Sequence, residues 1–216
     1  TQMANAFRAY PPSCPADPLP DQPSGPTWTA VVPLYATDNA GGEYIEDVTV
    51  TVWRLACSSS GAETEYNPTG AHNGMTLVRI DRDAEYEGDA EIFPTFPVMR
   101  ASQGGSFEGR ESLPRLALEP NTILSEVVFN TPIVDSATYV LENYVYQGYG
   151  YFTFSDGFTL QVDPVIPGEA PVEIDVPPYE PTPASYADAF APLPLDGYSA
   201  AQWINTEFNE GLLLQV

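Results

Sequence analysis

Val48-Thr49-Val50-Thr51-Val52-Trp53 alternates valine with threonine and tryptophan at a period of two. Successive side chains of a strand point to opposite faces, so the stretch predicts a strand with one apolar face laid on a core. Similar runs recur on both sides of it. Trp28 to Leu34, Met75 to Ile80, Ile123 to Phe129, Tyr139 to Tyr146, Tyr149 to Phe154 and Phe158 to Val162 all read as strands. Short strands separated by Gly, Pro and Asn turns predict an all-β fold: an antiparallel β-sandwich of immunoglobulin-like or jelly-roll-like kind. The only helix candidates are brief, near Ser112 to Leu118 and Ser185 to Phe190.

Proline marks the limits of that region. Residues 11 to 26 hold seven prolines, among them Pro11, Pro12, Pro15 and Pro18. Such a run can neither donate to a ladder nor continue a helix. The expected organisation is a Pro-rich extended arm at 1–26, a sandwich at 27–163, a Pro-rich linker at 164–196 and an apolar terminal segment at 197–216. Val172, Ile174 and Val176 alternate inside the linker as a candidate edge strand. Fully extended, about thirty linker residues reach on the order of 90 Å.

One hairpin can be read in detail. Between Tyr151 and Val162, a two-residue turn at Asp156-Gly157 would mix apolar with polar residues on each face. A three-residue loop, Ser155-Asp156-Gly157, sets Phe154 opposite Phe158 and Phe152 opposite Leu160. It makes the apolar face continuous. Gly157 then takes the left-handed position.

Thirty Asp and Glu stand against seven Arg, one His and no Lys, for a net charge of −23. That surface disperses the protein by self-repulsion. Nucleic acid is excluded as a partner, because a phosphate backbone requires a basic footprint. No apolar stretch reaches 18 residues, so no membrane-spanning helix is expected. The chain opens without a basic and apolar leader, as a cytosolic chain or a processed one would. Cys14 lies in the arm and Cys57 ends the best strand. A Cys14–Cys57 disulfide would tie the arm to the body, worth roughly 4 kcal/mol in the chain-entropy model; two unrelated thiols are the alternative. With the missing lysine, the disulfide predicts a secreted protein, extracellular or at a cell surface.

Few residues suggest chemistry. Asp81, Asp83, Glu85, Glu87, Asp89 and Glu91 place a carboxylate at every second position. As a loop they are candidate ligands for calcium, the one cofactor the sequence suggests, since Ca²⁺ takes six to eight oxygens. The bidentate Glu of an EF-hand loop is absent, because that position is Pro94. As a strand edge, the same charges would block unwanted pairing. His72, the only histidine, has no nucleophile elbow beside it and reads as a surface loop residue. Tyr144, Tyr146, Tyr149 and Tyr151 form either a glycan-stacking face or ordinary cross-strand packing. No P-loop or dinucleotide glycine pattern occurs, and no catalytic residue is assigned.

Leu212, Leu213, Leu214 and Val216 close the chain with an apolar strand that must dock on its own sheet or on a neighbour's. Trp203 to Val216 resembles a short repeat of exported proteobacterial surface proteins. There, Trp and an Asn or Asp precede Gly-x-Gly and an apolar strand; Trp203, Asn205, Gly211 and Leu213 match, with one glycine of the pair. The resemblance implies an exported bacterial surface protein. The expected function is a non-enzymatic structural protein, a homo-oligomer or polymer such as a filament or surface-layer subunit, joined by strand addition or arm exchange. The alternatives are an exported module binding glycan or matrix polymer through the tyrosines, and a hydrolase with no recognisable site.

Overall fold

The computed structural model describes residues 19–56, 74–84, 92–104, 107, 114–117, 126–127, 129–143, 156–179, 201–205 and 210–214. Every regular element among them is a strand. β1 (Thr27–Asp38), β2 (Glu43–Ala56) and β3 (Gly74–Asp81) form an antiparallel meander. β4 (Ile92–Pro94) pairs with the far end of β1, and β5 (Val98–Ser102) crosses to the second sheet. β6 (Pro114–Ala117), β7 (Glu126–Val127) and β8 (Ala137–Asn143) return to the first sheet. β9 (Phe158–Asp163) and β10 (Val172–Val176) complete the second. The strand orders are β4-β1-β2-β3-β8-β6-β7 and β10-β9-β5.

Alternation explains why the two sheets stack. Val32 and Leu34 of β1, Val48, Val50 and Val52 of β2, and Val78 and Ile80 of β3 share one face of the large sheet. They are buried in one cluster with Met99, Leu160, Val162, Ile174 and Val176 of the small sheet. Each such side chain contributes roughly 1.5–3 kcal/mol by leaving water. The architecture is therefore an antiparallel β-sandwich.

The opposite face of the large sheet is not all solvent-facing. Trp53, Leu55, Met75, Leu77 and Val140 form a second buried cluster there, with Leu19 packed against it. The register explains the grouping, since Trp53 pairs with Leu77, Leu55 with Met75, and Leu77 with Val140. Beside Leu19, Asp21 meets Arg79 at 3.0 Å. The described end of the proline-rich arm thus lies on its own sheet.

One expectation is corrected. The helix near Ser112 to Leu118 is displaced by β6, whose backbone pairs with both β7 and β8. A ladder partner on each side outweighs the weak helical preference of so short a stretch. Both edges of β9 are taken, one by β5 and the other by β10, and Tyr151 to Ser155, the first arm of the expected Phe154–Phe158 hairpin, lies outside the described residues. Gly157 nevertheless has the left-handed backbone the turn reading gave it, with φ of 54°. The candidate edge strand of the linker is present as β10, Val172–Val176, at the edge of the second sheet, and Ile174 and Val176 enter the main core.

Candidate functional site

The apolar terminal segment forms a ribbon of its own. β11 (Ala201–Asn205) pairs antiparallel with β12 (Glu210–Leu214), setting Trp203 opposite Leu212, Gln202 opposite Leu213 and Ala201 opposite Leu214. Leu212, Leu213 and Leu214 therefore have a ladder within the chain, and Val216 lies outside the described residues. Among the described residues both outer edges of the ribbon lack a partner. A two-stranded ribbon by itself is marginally stable in water, so such edges are poised to pair.

A second unpaired edge belongs to β1. Its contact with β4 covers Ala36, Thr37 and Asp38, and Thr95 donates to the Tyr35 carbonyl at 3.0 Å. From Thr27 to Leu34 that edge has no ladder partner among the described residues. Pro33 interrupts it by removing one donor. Val31 is 58% exposed and Ile45 57%, both on the face away from the main core.

Only the start of the acidic run, Asp81 and Asp83, lies among the described residues. Asp81 ends β3 and accepts from Arg79 at 2.5 Å, which ties up one carboxylate oxygen. Asp83 is exposed, and its amide donates to Glu46 at 3.3 Å. Glu85, Glu87, Asp89 and Glu91 lie outside the described residues. Among the described residues no three Asp, Glu, His or Cys converge as a metal site. Cys14, Cys57, His72, Tyr144, Tyr146, Tyr149 and Tyr151 also lie outside them. Among the described residues no helix is long and apolar enough to cross a membrane.

Two buried arginines went unnoticed in the sequence. Arg82 continues the alternation of Val78 and Ile80 into the core, and Glu46 continues that of Val50 and Val48. Their side chains meet as a fully buried bidentate pair, Nε donating to Oε1 at 3.0 Å and Nη2 to Oε2 at 2.9 Å. Arg82 also donates to the carbonyls of Val134 at 2.6 Å and Ile92 at 3.0 Å. The signal was available: a period of two carried past each strand end puts one cation and one anion inward on neighbouring strands.

Arg54 lies at the other end of the β2–β3 pair, 8% exposed. Its Nη1 donates to Thr76 Oγ1 at 2.8 Å, and Thr76 is its cross-strand partner. The guanidinium carbon stands 5.1 Å from the Phe158 ring centroid and 6.0 Å from that of Tyr179. Among the described residues nothing accepts from Nε or Nη2. Burial pulls its pKa down to about 10, while the Tyr179 hydroxyl acts weakly in the other direction.

Comparison with family models, with curated proteins and with solved structures found no match.

Proposed function

We propose that the protein is a non-enzymatic structural subunit of the bacterial cell exterior, secreted and joined to copies of itself by strand addition into a filament or surface layer. The observation that carries this reading is the terminal ribbon, whose apolar β12 is paired on one edge only among the described residues. The natural acceptor is the open edge of β1, where Val31 already stands exposed. Main-chain hydrogen bonds would supply the affinity, and alternate side chains the register. Donor and acceptor edges differ, so the contact is head-to-tail and propagates rather than closing. The acidity of the chain favours dispersal of the free subunit, which makes assembly dependent on salt.

The test is removal of Gly211 to Val216, followed by sedimentation and negative-stain microscopy. The expected result is a folded monomer that no longer assembles, beside a full chain that forms regular polymers. Polymers from the shortened chain, or monomers alone from the full one, would defeat the reading.

A further inference from the structure

Arg82 and Arg54 present the same chemistry in two states of completion. A guanidinium offers its Nε–H and one Nη–H₂ as a flat fork whose spacing matches the two oxygens of a carboxylate. In Arg82 that fork is filled: Nε and Nη2 reach the two oxygens of Glu46 at 3.0 and 2.9 Å. In Arg54 the same two atoms are the ones without an acceptor among the described residues, while Nη1 is held by Thr76. The Phe158 and Tyr179 rings face the cation's charge, yet neither ring offers a lone pair to an in-plane N–H.

The geometry points to the Nε/Nη2 edge of Arg54 as a receptor for one carboxylate group, supplied by a small organic acid in solution or by an acidic side chain of a second copy of this chain. A single negative charge neutralises a single buried cation. A dianion such as phosphate would leave an excess charge in an apolar setting, which is costly. The two nitrogens are themselves shut off from water, and the shortest way to them runs past Tyr179, which is only partly buried, and the exposed Pro177 and Pro178. Thr76 and Phe158, both buried, set the guanidinium's position from two different sheets. With thirty carboxylates per chain, a second copy is a rich source of the partner.

The test uses the full chain in chloride buffer, with the arginine Nε–H signals followed by ¹⁵N NMR while sodium acetate replaces chloride at constant ionic strength. One signal, identified by its loss in Arg54→Lys, is expected to move saturably. Tm should rise with acetate in the wild type and stay level in Arg54→Lys, which keeps the charge but lacks the fork, and in Arg54→Met. If the same signal moves when protein without acetate is concentrated, the carboxylate comes from a second copy. A signal and a Tm that ignore both acetate and concentration overturn the inference, and an equal response to phosphate overturns the choice of carboxylate.

Discussion

Arg82 and Arg54 occupy opposite ends of the same strand pair, both with their charge withdrawn from water. Desolvating a guanidinium costs several kcal/mol, and a partner must offset that. Around Arg82 the offset is local: Glu46 lies on the adjacent strand, and two backbone carbonyls complete the set. Around Arg54 the adjacent strand offers only the hydroxyl of Thr76, and the second sheet offers rings. The difference teaches that a β-ladder satisfies a buried charge when register puts the opposite charge within reach. Where register supplies a hydroxyl instead, the fork stays open to a partner from elsewhere.

The largest expected effect comes from making the first site resemble the second. Glu46→Ala leaves Arg82 buried without a counter-charge and should cost about 3–5 kcal/mol, read by urea denaturation. A loss below about 1 kcal/mol would mean that this sandwich tolerates a buried cation unaided, and the contrast would collapse.

The next effect is in the alkaline range. Burial pushes the Tyr139 hydroxyl up to about 12, with a smaller upward push from Asp135 and an opposing pull from Arg79. Its folded pKa lies above its unfolded value near 10, so its contribution is whole below pH 10 and lost between pH 10 and 12. That loss is on the order of 2–3 kcal/mol. Arg54 has the opposite sign: its folded pKa, about 10, lies below the ordinary 12.5, so its penalty is relieved as pH climbs between those values. Tyr139→Phe should therefore remove the fall and uncover a rise in stability from pH 10 to 12, measured by denaturation at each pH. A carboxylate seated on Arg54 would flatten that rise.

The smallest effect reaches Arg54 indirectly. A β-carbon at Gly157 would come within 2.8 Å of Pro178 Cδ and 2.9 Å of its nitrogen, at a φ of +54°. Gly157→Ala should cost about 1–2 kcal/mol from the left-handed backbone, and displace Pro178 with the adjoining Tyr179. The Arg54 Nε–H signal should shift while that of Arg82 holds still. Movement of both would show that the two ends of the pair are coupled.

Much of the sandwich could be read along single strands. The alternation at Val48 to Trp53 located β2, Phe158 to Val162 located β9, and Val172, Ile174 and Val176 located β10 inside a proline-rich stretch. Gly157 could be read from turn chemistry. The partner of β9 could not, because proximity in sequence favoured the preceding residues over β5 and β10. The alternation assigns Trp53 to the face opposite the valines, and only the second cluster shows that this face too is buried around it. Arg54 continues the inward alternation of Val50 and Val52, but its neighbour Phe158 lies more than a hundred residues later in the chain, beyond the reach of any local pattern.

By itself the sequence determined the all-β class, the place of several strands and the inward face of each. These follow from a local rule: side chains alternate, and the apolar set seeks the core. Tertiary structure alone decided which strands share an edge, which buried charge has a counter-charge and which face of the large sheet receives the arm. Those outcomes are competitions between segments far apart in the chain. The entropy of closing a loop grows only with the logarithm of its length, so distance along the sequence ranks the competitors poorly.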